Sequence, residues 1–251
     1  MNDDLKTIDD VLAELDRIIE ETVRENCFLG IFAYVYRRTT AQIKAEVEKG
    51  AFEDNERMAR FDVEFARLYI DAYRGYYAGE TISRSWKVAF DARNRPLTIV
   101  QHLTLGMNTH INLDLGIAAS RIMQGDDIRK LKNDYYKVNE VLAGLIDEMQ
   151  DRLGRVSRLM FLIDWLGRRT DERLINFSIS KARNESWKVA RALSSLQGDA
   201  RTLKLEETDL IVSRIGELVV SPKGRLIRQS LRFIRFFETR DIGKIIRNLR
   251  N

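Results

Sequence analysis

The sequence predicts an all-α protein, a single-domain helical bundle of about eight to ten helices, and three observations predict it. Only two prolines occur in 251 residues, so long helices meet few breakers. Apolar residues recur at spacings of three and four through most of the chain, the period of helices with one buried face. No run of alternating β-branched residues bounded by turn signals competes with that pattern.

The elements follow in order. Thr7, with Asp9 and Asp10 behind it, starts a first helix whose Val11, Leu12, Leu15, Ile18, Ile19 and Val23 share a face. A second runs from Phe28 to about Glu48, stopped by Gly50, and a third from about Asp54 to Tyr77, ended by Gly79. Both prolines read as helix starts. Pro96 opens an apolar segment to about Met123, and Pro222 follows Ser221, a good N-cap with proline at the first helical position. Between them lie Asp126 to Leu153, Thr170 to Leu196 and Leu203 to Val220. The pentapeptide Ser85-Trp86-Lys87-Val88-Ala89 returns at Ser186–Ala190, but the flanks diverge at once. A repeat should extend over tens of residues, so the echo marks at most two tryptophans in similar packing roles.

Composition bounds the class. Hydrophobic residues make up 44% and charged residues 32%, which fits a globular chain rather than a disordered one. The length is within reach of one domain covering 1–251. No stretch approaches about 18 uninterrupted apolar residues, so no transmembrane segment is expected. The acidic start, Met1-Asn2-Asp3-Asp4, lacks a secretory n-region, and the single Cys27 fits a reducing compartment. The expected address is cytoplasmic. Phosphate-cradling glycine loops and a Gly-x-Ser-x-Gly elbow are missing, and Cys27 reads as a small core residue.

Charge is uneven. From Ser221 to Asn251 nine basic residues face only Glu238 and Asp241, a net +7 that leaves −3 for the rest. Arg225, Arg228, Arg232 and Arg235 form one stripe; Ile227, Leu231 and Ile234, with Phe233 and Phe237, form the opposite side. This basic amphipathic segment, 221–251, is expected to dock its apolar side on the bundle and leave the arginines in water. Contact with an anionic membrane surface is the alternative. Nucleic acid is not expected, since no recognisable reading motif accompanies the stripe.

The most informative stretch is Gln101 to Asp114, an apolar helix carrying Gln101, His102, Asn108, His110, Asn112 and Asp114. At about 100° per residue, His110 lies roughly 80° round from His102 and Asp114 roughly 40° further, so all three share a sector. His110 and Asp114, four apart, can touch. Gly106 leaves room above the imidazole for a ligand or lets another helix approach. Three readings stay open. His102, His110 and Asp114, completed by Asp62, Asp71 or Asp91, could hold zinc, iron or manganese. Asp114 could instead orient His110 as a catalytic acid or base. Or both histidines are buried residues bonded to carbonyls and to Asn108 or Asn112. No established metal signature matches the spacing.

If the cluster lines a polar cavity, Gln101, Asn108, Asn112 and the Tyr69 hydroxyl are the candidate substrate contacts, and Asp62 faces the same space. The plainer placement of Asp62 is on the surface beside core aromatics. Asn176 and Ser178 interrupt another apolar stretch and satisfy local backbone groups in the plain reading.

The run Trp86…Ala89-Phe90-Asp91-Ala92, Gln101-His102-Leu103, Leu105-Gly106-Met107-Asn108 and His110-Ile111-Asn112…Asp114-Leu115 resembles the bacterial domain-of-unknown-function family 5995. The likeness continues through Asn176-Phe177-Ser178-Ile179 and Asp241-Ile242-Gly243-Lys244, covering most of the chain. The resemblance implies a bacterial, stand-alone α-helical protein and carries no established activity. Two functions are therefore compared: an enzyme, with or without a divalent metal, acting on a small molecule at His102, His110 and Asp114, and a non-catalytic scaffold that uses 221–251 against an anionic partner.

Overall fold

Thr7 opens the first helix as its spacing predicts. Its hydroxyl accepts from the Asp10 amide while the Asp10 carboxylate accepts from the Thr7 amide, satisfying donors that a helix terminus leaves free. The computed structural model describes residues 5–157 and 179–250. Helix α1 spans Ile8–Arg24, α2 Leu29–Glu48, α3 Asn55–Ala78, α4 Arg84–Asp91 and α5 Ile99–Thr109. One π-turn, His110–Asp114, leads into α6, Leu115–Ile122. Helices α7 (Lys132–Val156), α8 (Ile179–Ser195), α9 (Gly198–Val220), α10 (Arg225–Phe237) and α11 (Ile242–Arg250) follow. Among the described residues there is no strand, and the fold is all-α.

Eleven α-helices among the described residues exceed the eight to ten expected. The π-turn divides the segment after Pro96, and an extended Glu238 divides the basic tail. Neither proline starts a helix. Helix α5 begins at Ile99, because Thr98 and Gln101 cap each other's backbone, and α10 begins after Gly224 rather than at Pro222. Helix α9 starts at Gly198, ahead of the expected Leu203. Thr170 to Ser178, with Asn176 and Ser178, lie outside the described residues.

Helix α2 runs through the middle, against α1, α3, α5, α7 and α11. Helix α9 crosses α4 and α5, while α8 covers α6 and the π-turn. Two apolar clusters result. One gathers α1, α2, α4, α5 and α11 around Leu15, Ile31, Trp86 and Ile245. The other gathers the far ends of α2 and α3 with α6, α7 and α8 around Met58, Leu115, Tyr135 and Trp187. Phe65 packs against both. Trp86 and Trp187 each fill a core, which is the shared role that their echoed pentapeptides allow.

Side chains distant in sequence complete several helix starts. Asp134 accepts from the Glu53 and Asp54 amides at 2.7 and 3.1 Å, ahead of α3. Asp209 accepts from Arg84 and Ser85 at 2.7 and 2.9 Å, at α4. Glu238 accepts from the first amide of α5, Ile99, at 3.0 Å, and from Ser157. Asn26 accepts from Ile242 at 2.9 Å, at α11. Carboxylates at helix N-termini meet both free amides and the positive end of the dipole.

Candidate functional site around His110

The π-turn carries the site. Its ladder closes from the Leu115 amide to the His110 carbonyl, one residue wider than an α-turn, the kind of local widening that recurs at functional positions. Within it His110 Nδ1 lies 3.0 Å from Asp114 Oδ2. The indole N–H of Trp86, on α4, donates to the same oxygen at 3.0 Å. The expected His110–Asp114 pair is therefore formed. Trp86 is an addition that spacing did not reveal, since it reads only as core.

The pair is sealed from water, with His110 2% and Asp114 3% exposed. Phe65 stacks on the imidazole at 3.7 Å between centroids, and Tyr36 meets it edge-on at 4.3 Å. Burial pushes His110 well below its ordinary range and Asp114 well above its own, against the opposing hydrogen bond from Trp86. Both shifts favour the uncharged form.

Three buried polar atoms here find no hydrogen-bond partner among the described residues, His110 Nε2, Asp62 Oδ2 and Tyr69 OH, while the Tyr36 and Thr40 hydroxyls face each other. Tyr36 and Thr40 are one turn apart on α2, and Asp62 and Tyr69 lie on α3. Asp62 is buried rather than on the surface, and burial alone lifts its carboxyl to about 7. Burial, and then the charge of Asp62, raise the Tyr36 phenol. Asp71 and Asp91 are exposed, and Asp91 is taken up by Lys87 and Tyr76.

His102 sits apart, two turns before His110. It stacks on Phe28 at 4.6 Å, and burial first, then the Arg235 cation, push it down to about 3. With Tyr69, Trp86 and Phe32 it lines a cavity of about 10 Å³, near the volume of one water. The quartet expected to hold a metal is not assembled. Among the described residues no three His, Cys, Asp or Glu side chains are placed to bind an ion. Asp114 already occupies Nδ1 of His110, and Phe32 packs against the aromatic side chains around both histidines.

Of the candidate substrate contacts, Gln101 donates to the Val219 carbonyl at 2.7 Å and Asn108 to the Val212 carbonyl at 3.0 Å, fastening α5 to α9. Asn112 donates to Asn108 and lines a groove of about 430 Å³ between α8 and α9. Tyr69 alone turns toward the histidines, 6.1 Å from the His110 ring. Gly106 serves the second of its two expected uses. A Cβ there would stand 2.3 Å from Phe32 Cγ, so the missing side chain lets α2 approach α5.

Fold and site together define an all-α protein built round a buried histidine–aspartate pair on a π-turn. The chain belongs to a family of unknown function (DUF5995), whose sequence model matches residues 8–222. The match ends before α10 and α11, so the resemblance at Asp241–Lys244 falls outside it. No curated protein and no solved structure matches the chain. Among the described residues no helix is long and apolar enough to cross a membrane.

Proposed function

We propose that the cluster around His110 is an enzyme's acid–base centre for a small uncharged molecule. The observation that carries this reading is the imidazole itself. Nδ1 is held by Asp114 while Nε2, equally buried, meets no partner among the described residues. A buried polar atom left unmatched costs roughly 1–3 kcal/mol, and Asp62 Oδ2 and Tyr69 OH on α3 are unmatched as well. In this role Asp114 fixes the ring, Nε2 exchanges a proton with the bound molecule, and Asp62, near 7, supplies or takes a second proton. Phe65, Tyr36 and Phe32 pack round the imidazole. Burial among these rings disfavours charge on the pair and on anything bound beside it, which favours an uncharged ligand.

The test compares the parent with a His110→Phe/Asp114→Asn double variant, which keeps an aromatic ring and an acceptor for Trp86. Saturation-transfer NMR against a panel of small amides, alcohols and ketones should find a binder of the parent that the variant loses. The variant should be at least as stable, because it no longer buries an unmatched Nε2. A less stable variant that binds every panel member as the parent does would reduce the pair to a structural element.

A further inference from the structure

The basic stripe and apolar side expected on the tail do not fall as the sequence suggested. Helix α10 docks through Ile227 and Ile234, 2% and 1% exposed, and through Arg235, whose guanidinium lies 5.0 Å over the Phe28 ring. Arg235 thus leaves the stripe for the interface. Phe233 and Phe237 do the reverse and point outward. Leu226 is 57%, Phe233 53%, Phe236 79% and Phe237 61% exposed. Four of the eight large apolar side chains exposed among the described residues therefore lie on this one helix of 13 residues. The Phe237 ring touches both Phe233 and Phe236, with centroids 5.0 and 5.2 Å apart.

At about 100° per residue, Leu226, Phe233 and Phe237 fall within a 40° sector, and Arg225, Arg228 and Arg232 within a 60° sector on the other flank. Phe236 lies between them. These arginines and Lys223 are exposed, and none is ion-paired among the described residues. The outer side of α10 is thus an aromatic ridge beside a basic ridge, while Ile227, Ile234 and Arg235 face the bundle.

We propose that α10 lies flat on an anionic lipid bilayer. Phe233, Phe236 and Phe237 enter the boundary between headgroups and acyl chains, and Arg225, Arg228 and Arg232 meet lipid phosphates. Charge selects this occupant. The segment 221–251 carries +7, so a second copy docked here would set one positive tail against another, whereas an anionic leaflet attracts it. Rings flanked by cations suit the headgroup boundary, where each group finds its own solvent. The contact is peripheral and independent of the chemistry at His110.

Co-sedimentation of the full chain with phosphatidylcholine vesicles, with and without one third phosphatidylglycerol, tests this. The parent should bind the anionic vesicles far more tightly and release them as salt rises from roughly 0.1 to 0.5 M. Arg225→Gln/Arg228→Gln/Arg232→Gln should weaken binding roughly a hundredfold, and Phe233→Ser/Phe236→Ser/Phe237→Ser roughly tenfold or more. All six positions are exposed, and circular dichroism confirms that each variant keeps its helices. Equal affinity for neutral vesicles, or full binding by the phenylalanine variant, would overturn the proposal. So would a parent dimer that the phenylalanine variant dissolves, without vesicle binding. Tighter binding to a single-stranded oligonucleotide than to anionic vesicles would also overturn it.

Discussion

Phe65 and His110 lie face to face, 8° from parallel and 3.7 Å apart, so one side of the imidazole is closed by an apolar ring. A protonated ring there would lose its hydration with only Asp114 to compensate, and burial has already driven that carboxyl toward its neutral form. The imidazole is therefore kept from charging by its surroundings rather than by a neighbouring cation.

It follows that His110 does not titrate across the range in which free histidine does. Long-range proton–nitrogen NMR on protein labelled with ¹⁵N-histidine should show the His110 shifts constant from about pH 8 to 5, in a neutral tautomer. A His110 titration with a midpoint near the usual value would contradict the seal formed by Phe65, Tyr36 and Trp86.

Two other buried groups pull stability in opposite directions with pH. His102 takes a proton only near 3 in the fold but at roughly 6.5 in the unfolded chain, so stability falls as pH drops below about 6.5. Asp62 keeps its proton to about 7 in the fold but only to roughly 3.9 when unfolded. Its contribution is full below about pH 4 and lost as pH rises toward 7. Asp62→Asn should therefore gain on the parent between about pH 4 and 7, and His102→Phe should gain on it as pH falls below about 6.5. Each difference should change by up to about 1.4 kcal/mol per pH unit. Urea unfolding at several pH values measures both, and pH-independent differences would refute the assignment.

Gly106 should resist replacement more strongly than Gly216 of α9. The added methyl of Gly106→Ala would meet Cβ, Cγ and Cδ2 of Phe32 at 2.9 Å or less. Because these atoms include the stem of the side chain, a rotamer change cannot clear the space. A loss of about 3 kcal/mol or more is expected by denaturant unfolding. Gly216→Ala, whose nearest contact is Val88 Cγ1 at 3.1 Å, should lose clearly less. Similar losses in the two variants would mean that α2 and α5 are not held at this spacing.

What the sequence disclosed was local. Thr7 with Asp10 and Gly79 after α3 act within one turn of the termini they mark, and His110 with Asp114 is a pair that helical spacing alone brings into reach. What it hid depends on partners far along the chain. Asp62 turns inward only because α3 backs onto α6 and the π-turn. Tyr36, Thr40 and Trp86 join His110 through helices on other sides of the core, and nothing in their own neighbourhoods announces it. The π-turn adds a residue that an unbroken apolar period conceals. On α10 the sequence groups Phe233 and Phe237 with Ile227, Leu231 and Ile234 on one broad apolar side, and only packing decides which part of it is covered. Pro96 and Pro222 misled because the residues that precede the first helical turn lie further along, at Thr98 and Gly224.

The distant helix caps also constrain the order in which the chain can mature. As it emerges from the ribosome, α3 waits 81 residues from Glu53 for Asp134, and α5 waits 139 residues from Ile99 for Glu238. Helix α11 closes on Asn26 across 216 residues. Each wait adds loop-closure entropy before the contact can form. Until Glu238 is released, every nascent chain carries α5, with His102 on it and His110 just beyond its end, on an unfinished helix start. Synthesis of Glu238 and Ile242 is thus a folding step for elements made far earlier, and a chain truncated after Val220 lacks the carboxylate that locks α5.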